Sequence, residues 1–301
     1  MRKFVKTSLA CSSLILVAAC GGSGGGGGGQ TTAGGTGSLG LIQNATVNFY
    51  QADDSTLIGS GDTGTSGTVQ VPAGSYDGPV VVEIVGDDDD AQYFDEATDQ
   101  YQPFPAGDEM HAIVPSTGGV VGVTPLTEVA YQQAVAQGLF PITTGAVQGI
   151  NEIVRASLAP GLSSILTVPT LVDENTADNS LGEGEPDLYA IYLAGLSVVA
   201  QENGGGGALA VLRALSEDAG DGVIDGMNGG MAVNAPYMAN YVNVVTAAID
   251  DAAMALGTPE AQVAAGDTAP DNNDVDAGGV ENDPTGGTGG TGGSGGGGGG
   301  I

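Results

Sequence analysis

The sequence predicts a multidomain α+β protein: an N-terminal antiparallel β-sandwich over residues 39–123, then an all-α domain of about five helices over 124–265. Three observations predict it. Short β-branched runs broken by glycine turns fill the stretch up to Val123. After Thr124 apolar residues recur every three or four positions instead, so the period changes from that of strands to that of helices. The segment GGSGGGGGG occurs at 21–29 and again at 292–300; glycine has no side chain to bury, so both tracts read as disordered linker and tail.

The strands are justified by alternation. Thr46-Val47-Asn48-Phe49-Tyr50 and Thr68-Val69-Gln70-Val71 alternate polar with apolar. Val80-Val81-Val82-Glu83-Ile84-Val85 is nearly continuous in β-branched residues and suits a central strand with both faces covered. Met110–Val114 and Gly119–Val123 read as further strands, giving roughly seven, the number expected of a small sandwich.

The first helix starts with Thr124 as N-cap and Pro125 at the first helical position. Glu128 falls one place late for a strict capping box but suits the positive end of the helix dipole. Gly138 ends this helix. Val147, Ile150, Val154 and Leu158 mark the second, Leu188, Ile191, Gly195, Leu196 and Val199 the third, and Leu209, Leu212 and Leu215 the fourth. Met238, Tyr241, Val242, Val245, Ala248, Ile249, Ala252 and Leu256 mark the fifth. Residues 266–301 hold almost nothing to bury and are expected to form a disordered acidic, Gly-rich tail.

Residues 1–19 combine a basic start, Arg2, Lys3 and Lys6, with an apolar run from Leu9 to Ala19. At about 11 residues the run is well short of a bilayer span, so it reads as a signal-peptide core. Val17-Ala18-Ala19-Cys20 resembles the lipobox of bacterial lipoproteins. The resemblance implies cleavage before Cys20, acylation of that residue and attachment to a membrane through the lipid, with residues 20–38 as a Gly-rich tether. Gly21 lacks the aspartate that signals inner-membrane retention in enteric lipoproteins, so the resemblance favours the outer membrane.

With Cys11 removed in the leader and Cys20 acylated, no disulfide, zinc thiolate cluster or cysteine nucleophile is available. Cleavage leaves Arg155 and Arg213 against all 36 acidic residues, and no lysine. Nucleic acid is excluded as a partner, because binding it requires Lys and Arg to neutralise phosphates. Cations, cationic peptides and neutral glycans are compatible with this charge, which without salt repels itself.

Residues 41–128 resemble the carboxypeptidase-regulatory-like (transthyretin-type) modules of many proteobacterial lipoproteins. The matching stretches are Ala45-Thr46-Val47, the turn-rich Gly59 to Gly67, Gly78-Pro79-Val80-Val81-Val82 and Tyr93-Phe94-Asp95-Glu96. Thr124-Pro125-Leu126-Thr127-Glu128, the helix with Asn151 and the segment Asp218–Gly226 resemble the helical region that follows such modules. The resemblance implies a fold and export; it carries over no functional residue.

Catalytic material is sparse. His111 is the single histidine and reads as a structural or surface residue; as a general base it would need a nucleophile in reach, and Ser116 is the nearest in sequence. No Gly-x-Ser-x-Gly or His-Glu-x-x-His motif occurs, and Gly204–Gly207 is followed by no lysine, so it reads as a helix connection. Calcium is the sharper expectation, because hard cations need clustered oxygens. Asp87, Asp88, Asp89 and Asp90 form one candidate site. Asp221 and Asp225 form another, in a loop like an EF-hand but with Ala219 at a ligand position and Asn228 in place of the closing glutamate. Asp271–Asp276 is a weaker one. The sequence thus predicts a non-enzymatic, acyl-anchored binding or scaffold module of the cell envelope with an unidentified protein or glycan partner. The alternatives are a calcium-dependent adhesion or matrix protein and, third, an accessory hydrolase, which would need His111 grouped with carboxylates in a concave site.

Overall fold

Ten strands run from Thr31 to Val123: β1 (Thr31–Gly37), β2 (Ile42–Gln43), β3 (Thr46–Gln51), β4 (Leu57–Asp62), β5 (Thr68–Gly74), β6 (Val80–Val85), β7 (Gln92–Asp95), β8 (Gln100–Pro103), β9 (Glu109–Val114) and β10 (Val120–Val123). Five α-helices follow: α1 (Pro125–Ala136), α2 (Thr144–Leu158), α3 (Glu185–Glu202), α4 (Gly207–Asp218) and α5 (Tyr241–Ala255). The computed structural model describes residues 31–176, 181–182 and 184–255; Cys20, both glycine tracts and the acidic tail with Asp271–Asp276 lie outside the described residues. The chain is α+β, with its strands preceding its α-helices apart from a two-residue-strand hairpin at Met227–Ala232.

A four-stranded antiparallel sheet has the order β4-β3-β6-β9. In β3 the alternation is the one read from the sequence, and Val47 and Phe49 are buried on one face together with Val82, Ile84, Met110 and Ala112. The opposite face carries Asn48, Glu83 and His111 in one cross-strand row. A second antiparallel sheet has the order β2-β7-β8, and a third the order β10-β1-β5. In the third, β1 runs antiparallel to β5 but parallel to β10, so the pairing is not purely antiparallel.

Strand β1 departs from the reading of residues 20–38 as tether. Thr31–Gly37 pairs on both edges, and its last five residues are buried. The sequence TTAGGTG lacks large apolar side chains because neighbouring ones fill its space. A Cβ on Gly35 would lie 2.8 Å from Val82 Cγ1, and one on Gly37 would lie 2.5 Å from Ile84 Cδ1. The glycines allow close approach of backbone to core, a use of strand glycine that composition cannot distinguish from a linker.

Helix α1 begins where the sequence places it. Thr124 is the N-cap, and its hydroxyl and that of Thr127 each accept the other's backbone N–H. The capping box is therefore complete with Thr127, and Glu128 is released for another role. Leu126, Val129 and Ala130 are buried, and α1 packs on β9. Helix α2 also reaches β9, where Asn151 Nδ2 donates to the Ile113 carbonyl at 3.1 Å.

Helix α3 is apolar nearly all round, as befits a central helix. It lies against α4 and α5. Gly195 permits the approach of α5, since a Cβ there would sit 3.2 Å from the Ile249 backbone nitrogen. The Tyr189 hydroxyl ties α3 to the start of α1, at 2.5 Å from Thr124 Oγ1, and donates to the Ile165 carbonyl. The buried apolar residues form one cluster from Ala33 to Ala253. The boundary at Thr124 thus separates strands from helices but not one core from another. Among the described residues no helix is long and apolar enough to cross a membrane.

Candidate functional site

A polar chain crosses the sheet and continues into the helices. Ser60 on β4, Asn48 on β3, Glu83 on β6 and His111 on β9 are cross-strand neighbours. Ser60 Oγ donates to Asn48 Oδ1 at 2.8 Å, and Asn48 Nδ2 donates to Glu83 Oε2 at 2.8 Å. The Tyr50 hydroxyl donates to the same Glu83 oxygen at 3.3 Å. Glu83 Oε1 lies 3.5 Å from His111 Nε2. From the helical side, Glu128 Oε2 sits 2.8 Å from His111 Nδ1. The other Glu128 oxygen accepts from Gln132 Nε2 at 2.6 Å and from Ser216 Oγ at 3.1 Å.

Burial follows from this placement. His111 is 4% exposed and Glu128 1%, because α1 covers the face of β9 that carries the ring. Burial alone would push the His111 pKa down, but the hydrogen bonds with Glu128 and Glu83 and the fields of Glu128 and Glu109 outweigh it and hold it up at about 9. The bond from His111 in turn holds Glu83 below the usual carboxylate range, against its own desolvation and with help from Asn48. At neutral pH the ring is therefore an imidazolium between two carboxylates. The Tyr131 ring stacks on it at 4.0 Å and 13°, and Phe140 meets Tyr131 edge-on at 5.9 Å.

His111, Glu83, Tyr131 and Phe140 line a cleft of about 530 Å³. Tyr50, Tyr131 and Phe140 give it an aromatic lining, Glu83, Asp53 and Asp54 an acidic one, and no lysine or arginine lines it. Glu109, two residues before His111 on the same face of β9, is exposed and completes the group. Among the described residues, Glu83, Glu109 and His111 are the set of His, Cys, Asp and Glu side chains that offers three ligand atoms within 4.8 Å of one another, the proximity a metal ion requires.

Neither nitrogen of His111 meets a hydroxyl nucleophile. Nδ1 faces Glu128 and Nε2 faces Glu83. Ser116 lines a separate small crevice with Gly118, Gly119 and Val121. General-base chemistry needs a ring nitrogen directed at the proton to be taken, and both nitrogens of His111 face carboxylates.

The aspartates singled out from sequence do not join this group or form another like it among the described residues. Asp87 Oδ1 accepts the backbone N–H groups of Asp89, Asp90 and Ala91, which hold its pKa low. Asp88 Oδ1 accepts from the Ala106 amide at 3.1 Å. Asp221 accepts from Val223 and Gly229, and Asp225 from Met227. Buried Asp218 accepts from the amides of Asp225 and Gly226. This segment ends α4 through a 3-10 turn and Gly222 at φ +97°. Local backbone amides, the nearest donors, engage these carboxylates.

Two more buried carboxylates sit where β7 meets the helices. Asp95 accepts from the amides of Ala97 and Thr98 and lies beside the Ala208 amide in the first turn of α4. Desolvation raises the Asp95 pKa, and the amide hydrogen bonds, including that at the start of α4, offset only part of it. The preceding glycines, Gly204 to Gly207, connect α3 to α4 with positive φ throughout. Glu96 accepts from Ser197 Oγ at 2.8 Å. Burial of the carboxylate pushes its pKa up to about 8, with Asp95 adding to the effect against the Ser197 bond.

Sequence reading missed Glu83, Glu109, Glu128 and Tyr131. One signal was available: Glu83 is the lone acid in the β-branched run Val80–Val85, and a carboxylate in a covered strand requires a partner. In comparison with known proteins, no family model, no curated protein and no solved structure matches the chain.

Proposed function

We propose that this protein is an acyl-anchored, non-enzymatic binding module of the cell envelope whose ligand-binding surface is the His111 cleft, and that the cleft takes cations. The lipobox residues ending at Cys20 support the anchor, and the leader's length and the mature chain's lack of lysine fit export as a strongly acidic body. The sandwich reading of the strand region is supported by the approach of β1 to the buried face of the four-stranded sheet, where Gly35 meets Val82 and Val47.

The cleft itself carries the reading: its walls combine carboxylates with aromatic faces and hold no basic side chain other than the histidine. Carboxylates attract positive charge, and aromatic faces add cation–π attraction. The hydrolase alternative requires His111 among carboxylates in a concave site, and that group exists. Its ring nitrogens are engaged, however, which favours binding. The calcium-dependent alternative rests on Asp87–Asp90 and on Asp221 and Asp225; Asp87 accepts from three backbone amides, Asp221 from two and Asp225 from one.

Calorimetric titration of the full chain with trilysine, at about 0.15 M salt to screen the general surface charge, tests the reading. Glu83→Gln and Asp88→Asn remove one charge each, the first inside the cleft and the second outside it. Glu83→Gln is expected to weaken binding about tenfold and Asp88→Asn to leave it within about twofold. Equal losses from the two substitutions would overturn the cleft as the binding surface.

A further inference from the structure

We infer that Glu83, Glu109 and His111 bind a divalent transition-metal ion of the zinc type, with its remaining coordination position facing the cleft. This rests on the reading of the cleft as a cation-binding surface and names the cation.

The spacing fits. In tetrahedral coordination with bonds of about 2.1 Å, ligand atoms lie about 3.4 Å apart. His111 Nε2 and Glu83 Oε1 are 3.5 Å apart, and Glu109 offers a third ligand atom within 4.8 Å of one from each of those residues. Glu109 is exposed, so a change of rotamer closes the remaining distance without disturbing the core.

The partners behind the ligands are placed as metal sites place them. A metal-bound histidine commonly donates its other ring nitrogen to a carboxylate, which fixes ring orientation. Glu128 occupies that position on Nδ1, and is itself fixed by Gln132 and Ser216. Glu83 is oriented in the same way. Asn48 and Tyr50 both bond its Oε2, which leaves Oε1 directed at His111 Nε2. Two of the three ligands are therefore pre-oriented by hydrogen bonds to atoms that a metal would not use.

The donor set selects the ion. One imidazole nitrogen with two carboxylates suits zinc and its first-row neighbours. Calcium takes six to eight oxygens and magnesium keeps an octahedral oxygen shell, and neither is matched here. Binding replaces the proton on His111 Nε2 by the metal and releases that proton to solvent. Three protein ligands leave one tetrahedral position for water or a small donor entering from the cleft.

The test is calorimetric titration of the full chain with zinc chloride, with calcium chloride as comparator and trilysine run on the same samples. One saturable zinc site is expected, with no matching calcium site. His111→Gln and Glu109→Gln should each weaken zinc binding by about tenfold or more, and Asp88→Asn should leave it unchanged. Glu109 is exposed, so Glu109→Gln keeps the test decisive if His111→Gln fails to fold. Absence of the zinc site, or unchanged affinity in Glu109→Gln, overturns the inference. If zinc fails while trilysine still binds, the metal falls and the cation-binding cleft stands; if neither binds, both fall.

Discussion

One oxygen of Glu128 accepts both the backbone N–H of His111, at 2.6 Å, and lies 2.8 Å from its ring Nδ1. That N–H points outward because β9 is the last strand of its sheet. An open strand edge invites pairing with another chain. Here the first turn of α1 closes the edge at one residue and orients the side chain of the same residue. Removal of Glu128 should therefore be felt in both stability and site geometry.

Glu128→Ala leaves the His111 amide and imidazolium, Gln132 and Ser216 without a shared acceptor in a buried position. Loss of one partner from a buried charged network typically destabilises by about 3–5 kcal/mol. Glu128→Gln retains one oxygen and is expected to lose less. Urea unfolding of the full chain reads the difference, and a loss below about 1 kcal/mol in Glu128→Ala would show that the network adds little to stability.

Stability should fall as the pH rises from weakly acidic to alkaline. Glu96 is held at about 8 in the folded protein against an ordinary value of 4.5. The folded state therefore binds the extra proton between those values, and stability declines across that window. His111, at about 9 against 6.5, acts in the same direction: its contribution is complete below 6.5 and lost as the pH rises through 9. Glu96→Gln should flatten the decline up to about pH 8 and raise stability there relative to the unsubstituted protein. A series of thermal melts from pH 5 to 9 on both proteins measures it; parallel curves would contradict the assignment.

Gly207 has φ +63°, and a Cβ there would collide with Asp95 Oδ2 and the Tyr93 hydroxyl. Gly207→Ala is expected to destabilise by about 2–4 kcal/mol, combining backbone strain with displacement of the carboxylate at the start of α4. Gly204→Ala also sits at positive φ, +121°, but meets nothing within 4 Å and should cost less. Denaturant midpoints of the two variants make the comparison.

Mass spectrometry of the mature N-terminus should find a diacylglyceryl-modified Cys20, and Cys20→Ser should release the protein from the membrane fraction. An unmodified N-terminus would remove the anchor from the proposed function.

Local features were legible where neighbouring residues supply the reason for them. The Thr124 cap, the β-branched strand at Val80–Val85 and the five helical stripes all follow from short-range sterics and periodicity. Strand β1 was not legible, because Gly34, Gly35 and Gly37 are defined by the side chains that pack over them, far away in sequence. Glu128 was legible only in part: it stands in the first turn of α1 as read, but its contact with β9 was not legible. Its position in the first turn suggested a role with the helix dipole, whereas Thr127 completes the cap and Glu128 turns to β9.

The aspartate run shows the converse. Four adjacent carboxylates suggested a cation site, yet proximity in sequence places Asp87 next to its own backbone amides, and these engage it first. The sequence by itself determined the strand-to-helix change at Thr124, the five helices, the acidic charge and the single histidine, since each is read from composition or from residues within a few positions of one another. The tertiary structure alone decided which groups meet. Antiparallel register brings Glu83 opposite His111, and packing of α1 on the strand edge brings Glu128 behind it. That convergence depends on contacts between distant segments, which local periodicity does not encode.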